Sequence, residues 1–351
     1  MTKKIITIFL ICFSVGNRIS AQNQKMNPIY NFEKLWLEFN DRYANFELKA
    51  VDWTEIYNKY RPLVTLETTS DELFDICSNM LSELKDGHVS ITQYGRDKSV
   101  LKKSDRPYPV YLQEEFPNMS HLLSLIDTTL INNNFSNPKT VRAKDASAIK
   151  YCKSEKYGYL SMNGMFNNYK AANLAIDEFI NLDGIIIDLR FNGGGRDVIS
   201  YKIAGRFTDK KRVGHYKKTR IKGTNEFSKL ETWYLEPLGK NQFTRPIVLL
   251  TSDLTASAAE IFVIAMKELP NVTVIGDNTQ GILSDMFVFK LPNDWVVTLS
   301  HQQYFSSAMI NYEEIGIDPD YKILNSQEDI TRKSDPVIDK AIEMLNHKIK
   351  E

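Results

Sequence analysis

The chain has 351 residues, with 44 lysines and arginines balanced by 44 aspartates and glutamates, and it is 42% hydrophobic and 25% charged. That profile is ordinary for a soluble globular protein, long enough for one large domain or a large domain with a smaller one attached. A formal charge of zero and the absence of any long run of like charge give no electrostatic case for a nucleic acid or an anionic membrane as partner. The first element is the segment "MTKKIITIFLICFSVGNRISAQNQ". Lys3 and Lys4 precede an apolar run from Ile5 to Val15, and small residues follow up to Ala21. This is the three-part form of a secretory signal peptide spanning residues 1–21, so the mature protein is expected to begin near Gln22 and to be exported to a periplasm or the extracellular space. The apolar run is shorter than the roughly 20 residues of a membrane span. Cys12 lies inside it rather than after a small-residue cleavage site, so no lipid anchor is expected.

Helical periodicity follows. "NFEKLWLEFNDRYANFELK" puts Phe32, Leu35, Trp36 and Phe39 on one face, and "SDELFDICSNMLSELKD" does the same with Leu73, Ile76, Cys77, Met80, Leu81 and Leu84. With "DWTEIYNKYRPLV" between them, residues 22–92 read as a small bundle of about three helices. Residues 93–150 are polar and interrupted, with weak strand signals at "YPVYLQ" and "HLLSLID", and read as an irregular connecting segment. From Tyr157 short apolar strands alternate with helices: "YGYLSMNGM", "DGIIIDLR", "RPIVLLTS" and "VTVIGD" are strands, whereas "YKAANLAIDEFIN" and "SAAEIFVIAMKEL" are helices. "WVVTLSHQQYF" reads as an edge strand and "DPVIDKAIEMLNHKIK" as a closing amphipathic helix. Residues 151–351 are therefore an α/β domain with a largely buried sheet.

Without Cys12, two cysteines remain, Cys77 and Cys152; they could form one disulfide or stay as two buried thiols. The five histidines are scattered, with no Cys-x-x-Cys or His-x-x-x-His pair, so no metal and no other cofactor is expected.

Three clusters could carry chemistry. In "LKDGHVSI" the Asp86-Gly87 turn can present the imidazole of His88, or His88 can be an ordinary solvated loop residue. In "IIIDLRFNGGGR" a buried strand runs into Gly193, Gly194 and Gly195. Glycines let backbone N–H groups approach a ligand and adopt positive φ, which suits an oxyanion site as well as an ordinary turn. The Gly-x-Gly-x-x-Gly and Gly-Lys-Ser/Thr patterns of nucleotide loops are absent. In "LTSDLTASAAEIF" Ser257 stands at a helix start, three residues before Glu260. That spacing is a capping box, and Ser257 there is equally a nucleophile beside free N–H groups and a positive dipole end, given a base to take its proton.

Taken together, "LKDGHV", "DLRFNGGG", "TASAAEIF", "VIGDNTQGILSD" and "YEEIGIDPD" resemble, in order, the motifs of the tail-specific (C-terminal processing) serine protease family, in its tricorn-core-like branch, over about residues 70–325. The resemblance implies a crotonase/ClpP-like α/β catalytic domain, at residues 151–351, preceded by a small helical region. It also implies a peptide or protein substrate and roles for particular residues. Ser257 matches the nucleophile, and the N–H groups of Gly194 or Gly195 with that of Ala258 match the oxyanion hole. Better-known bacterial members activate the serine with a lysine in "TFGKG"; in "TQGILSD" Ile282 stands at that place. The tricorn-like branch uses a histidine, matched by His88, and a glutamate, matched by Glu313, while Gly87 replaces a serine of that branch and Ser284 is a possible relay. About 65 residues separate His88 from "YGYL", too few for a complete PDZ domain of roughly 90, so capture of a free substrate C-terminus is not implied. A non-catalytic binder on the same fold, such as the retinoid-carrying relatives, needs no Ser–His pair. An esterase would use the same parts, and crotonase-type acyl-CoA chemistry does not suit an exported protein.

Overall fold

The computed structural model describes residues 25–94, 99–103, 110–145 and 147–348; the signal segment lies outside the described residues. In chain order the helices α1 (Pro28–Arg42), α2 (Trp53–Tyr60) and α3 (Ser70–Ser82) lead to strands β1 (Ser90–Tyr94) and β2 (Ser99–Lys103). Then come α4 (Tyr111–Glu115), α5 (Met119–Asn132), β3 (Lys139–Arg142), β4 (Ala148–Lys153), β5 (Tyr157–Met162), α6 (Tyr169–Phe179), β6 (Gly184–Asp188) and α7 (Asp197–Ala204). The rest comprises β7 (Arg212–Thr219), β8 (Glu231–Leu235), β9 (Ile247–Thr251), α8 (Ala258–Lys267), β10 (Val272–Gly276), β11 (Met286–Lys290), β12 (Val296–Ser300), β13 (Gln302–Ser306), β14 (Tyr321–Lys322), α9 (Gln327–Arg332) and α10 (Pro336–Lys348).

The chain divides into two compact units. The first takes Met1–Pro107, Thr219–Ser228 and Ser284–Gln302, and the second takes Tyr108–Lys218, Lys229–Leu283 and Gln303–Glu351. In the first unit each helix starts where its sequence says it should. Asn27 caps α1 with Pro28 in its first turn, Asp52 caps α2 through the N–H groups of Thr54 and Glu55, and Thr69 with Glu72 forms the capping box of α3. The buried faces of these helices pack on the antiparallel sheet β11-β12-β1-β2 through Phe32, Phe39, Phe74, Trp295 and Val297. The helical region is thus not a free-standing bundle: residues 284–302, far downstream, supply half of the sheet it covers.

The second unit is built on a seven-stranded sheet of order β14-β10-β9-β6-β5-β4-β3, parallel from β14 to β5 and antiparallel beyond. Side chains alternate strictly across it. Leu160, Ile185, Ile187, Ile247, Leu249 and Val274 face α6, α7 and α8. Tyr159, Ile186, Val248, Leu250 and Ile275 face α5 and α10. Burial on both faces is why these strands are continuous apolar runs, and the result is a three-layer α/β/α arrangement.

Three expectations change. Of the strand signals "YPVYLQ" and "HLLSLID", Tyr111–Gln113 of the first and all of the second lie in helices α4 and α5, so residues 111–132 are not irregular and belong to the second unit. Leu122, Leu125, Ile126 and Leu130 make a helical stripe against β5, β6 and β9. "WVVTLSHQQYF" is two strands, β12 in the four-stranded sheet and β13 in the three-stranded sheet β13-β7-β8, broken at His301. Residues 151–351 accordingly lose 219–228 and 284–302 to the first unit. Cys77 and Cys152 are buried free thiols, and burial pushes the Cys152 thiol up to about 12. Among the described residues no helix is long and apolar enough to cross a membrane.

Candidate active site

In the second unit β6 and β9 lie side by side, with Asp188 opposite Leu250, and both end in tight turns that open helices. Ligand sites of parallel α/β sheets lie beyond such strand ends. Ser252 Oγ donates to the Arg190 carbonyl at 2.5 Å and Thr255 Oγ1 to the Leu189 carbonyl at 2.9 Å, which ties the two turns together. Below them the Arg190 guanidinium, fully buried, is held by Asp188, Asp335 and the Asn325 amide oxygen, while the Tyr159 hydroxyl donates to Asp188 at 2.8 Å.

Ser257 stands just before α8 with φ 57° and ψ −126°, a backbone region that a residue with a Cβ rarely occupies. Its side chain stands toward the Glu260 N–H in a capping-box arrangement without making a cap hydrogen bond of full geometry. The cap is made by other atoms: Ser257 N–H donates to Glu260 Oε2 at 2.9 Å, and Glu260 N–H donates to the Ser257 carbonyl at 2.8 Å. Ser257 is half-buried, flanked by the buried Ala256 and Ala258. A sharp strand-to-helix turn that strains its serine is the geometry of a nucleophile elbow.

Glu260 is fully buried and accepts from four donors: Thr279 Oγ1 at 2.6 Å, Gly281 N at 2.7 Å, and Ile282 N and Ser257 N, each at 2.9 Å. Burial raises its pKa, against the pull of those hydrogen bonds. The sequence shows Glu260 as half of a capping box; it does not show that the same carboxylate clamps residues 279–282 onto the serine turn. The Ile282 carbonyl also accepts a hydrogen bond from Ser257 N–H at 2.9 Å.

The glycine turn lies against this serine. Gly194 has φ 99° and Gly195 φ 145°, and a Cβ on Gly194 would sit 2.6 Å from Ser257 Cβ and 3.0 Å from Ala258 N. Only glycine fits there. The Gly194 N–H donates to Asn192 Oδ1 at 3.1 Å. Among the described residues the N–H groups of Gly195 and Ala258 have no acceptor. Glu313 is buried and accepts the Leu283 N–H at 2.8 Å.

In the first unit His88 is buried, not solvated. Its N–H donates to Asp86 Oδ1 at 2.8 Å, its carbonyl accepts from Thr298 Oγ1 at 2.6 Å, and the Tyr43 hydroxyl donates to Asp86 Oδ2 at 2.8 Å. Ser284 donates to the Asp285 carbonyl at 3.0 Å and accepts the Gln302 N–H at 3.1 Å. Asn192 and Thr279 are not singled out by the sequence, where their only signal is polarity beside a glycine or a motif residue. Among the described residues no group of three His, Cys, Asp or Glu side chains could hold a metal ion.

Residues 156–323 match the model of Peptidase family S41. This segment is therefore similar to peptidase family S41, a serine-type peptidase family. The S41 segment contains the glycine turn, Ser257, Glu260 and Glu313, and residues 27–82, upstream of it, match the Tricorn protease C1 domain. A crystal structure of a candidate peptidase from Parabacteroides merdae shares 29% identity with a TM-score of 0.73, covering 91% of this chain and 96% of that one. Tricorn protease of Thermoplasma volcanium is 28% identical over 60% of this chain and 18% of its own length. The carboxy-terminal-processing protease of Bartonella bacilliformis is 27% identical over 49% of this chain and 40% of its own. The chain thus spans less than half the length of these two curated relatives.

Proposed function

We propose that this chain is an exported serine peptidase that hydrolyses peptide bonds through an acyl-enzyme, with Ser257 as nucleophile and His88 as general base. The observation that carries the reading is the Ser257 turn, strained at φ 57° at a helix start and lying against the glycine turn. In this reading His88 takes the Ser257 proton as Oγ attacks the scissile carbonyl, then returns it to the leaving amine; water repeats the cycle on the acyl-enzyme. The developing oxyanion is met by the N–H groups of Gly195 and Ala258, because the Gly194 N–H is already engaged by Asn192. Glu313 supplies the carboxylate of the set. Ile282 occupies the place where related enzymes carry a lysine, which is why the base is assigned to His88. The substrate is a peptide or protein, and no cofactor enters the chemistry. Export rests on the form of residues 1–21.

The test is labelling by a fluorophosphonate together with hydrolysis of fluorescein-labelled casein. Wild type is expected to be labelled and active, with Ser257→Ala unlabelled and both Ser257→Ala and His88→Ala slower by roughly 10³-fold or more. Equal labelling of wild type and Ser257→Ala refutes the assignment. An inert wild type with an intact fold would favour a binding protein.

A further inference from the structure

Asn192 is fully buried, yet its Nδ2 has no hydrogen-bond partner among the described residues. A buried donor left unmatched lowers stability, so an apolar side chain would suit this position better if packing alone set it. What the side chain does make is a single hydrogen bond, its Oδ1 accepting from the Gly194 N–H at 3.1 Å. Its backbone reaches the other half of the site, since the Ala256 N–H, next to Ser257, donates to the Asn192 carbonyl at 3.0 Å.

That one contact matters because of the peptide planes around Gly194. The plane before Gly194 is held at its N–H by Asn192 Oδ1, and the plane after it is held at the Gly194 carbonyl by Met165 N–H at 2.7 Å. In a planar trans peptide the carbonyl and the following N–H point in opposite directions. With the Gly194 carbonyl turned to Met165, the Gly195 N–H must face away from Met165. Fixing both planes also sets the positive φ of Gly194, a residue whose own torsions are otherwise permissive. Asn192 is the side chain in this arrangement; the other anchor is backbone.

We propose that Asn192 is a positioning residue that preorganises the oxyanion site: its amide oxygen locks the plane before Gly194, so that the Gly195 N–H is already aimed when negative charge develops on the substrate carbonyl. This rests on the reading of Ser257 as nucleophile. Donors fixed in advance act on the transition state and little on ground-state binding, so loss of the lock falls on the chemical step.

The experiment follows phosphonylation of Ser257 by a fluorophosphonate, separating the limiting rate kinact from the binding constant KI, alongside thermal melting. Asn192→Leu keeps the bulk and removes the acceptor; Asn192→Ser restores a shorter oxygen able to accept from the N–H two residues on. The Leu variant is expected to lose about tenfold or more in kinact with KI within about twofold and melting no lower than wild type. The Ser variant is expected to recover at least threefold of that loss on the way to wild type (~3-fold). If Asn192→Leu does not fold, Asn192→Ala and Asn192→Ser are compared in its place. A folded Leu or Ala variant with wild-type kinact overturns the inference, as does a loss carried wholly by KI. Wild type and Ser257→Ala run in the same series: a Ser257→Ala variant that labels like wild type removes the underlying reading, whereas an unlabelled one beside a fully reactive Asn192→Leu removes this inference alone.

Discussion

A buried histidine in the second unit makes stability depend on pH in a way that can be worked out beforehand. His215 has no exposed surface; its Nδ1 lies 2.6 Å from the Tyr201 hydroxyl, and its ring stacks on Trp233 at 5.3 Å and packs on Tyr304 at 5.2 Å. Burial, and then the charge of Lys217, lower its pKa from 6.5 to about 3. The folded protein therefore keeps the ring neutral while the unfolded chain binds a proton below about pH 6.5. Because the unfolded state holds more protons between these values, stability is present above pH 6.5 and is lost as pH falls toward 3. One pKa unit is worth about 1.4 kcal/mol, so lowering the pH from 7 to 5 costs wild type about 2 kcal/mol from this one ring. His215→Phe keeps the aromatic stack and strands the Tyr201 hydroxyl, a penalty that does not change between pH 5 and 7. Urea unfolding of both proteins at the two pH values, followed by a signal from the second unit, gives the difference of differences. The stability gap between wild type and His215→Phe is expected to narrow by about 2 kcal/mol on going to pH 5. A gap constant to within about 0.5 kcal/mol would show that the ring is not held neutral, and the reasoning from burial would fail.

Two further substitutions separate structural carboxylates from catalytic ones. Arg190→Met leaves Asp188 and Asp335 buried without their cation and is expected to cost about 3–5 kcal/mol in denaturant unfolding; a loss under about 1 kcal/mol would mean that the pair is not buried in solution. Glu260→Gln replaces an acceptor with a donor facing N–H groups. Thr279 can rotate to accept, but at least one of the Ser257, Gly281 and Ile282 N–H groups loses its partner, so a cost of about 1–3 kcal/mol and slower acylation are expected. Wild-type stability and acylation in Glu260→Gln would refute the clamp.

What the sequence made legible follows from where the information sits. Strands β5, β6, β9 and β10 and helices α6 and α8 were readable because a sheet buried on both faces needs uninterrupted apolar runs, such as Ile185–Ile187 and Ile247–Leu250, and its helices need a stripe. Helix α5 was not, since "HLLSLID" is a short apolar run that fits either period until Leu130, beyond it, is known to face the same strands as Leu122 and Ile126. The assignment of residues 284–302 to the helical unit was out of reach for a stronger reason: Phe74 meets Trp295 across more than 200 positions, and nothing local encodes that pairing. The same division runs through the site. Ser257 and Glu260 were visible as a capping box, and the box is present, with the backbone carbonyl of Ser257 also taking the Glu260 N–H at 2.8 Å. Spacing reports which residues meet at a helix start; it is silent on which oxygen does the capping. At Ser257 that distinction bears on function, since an N–H satisfied by the backbone carbonyl leaves more of the hydroxyl's lone pairs for attack on a substrate.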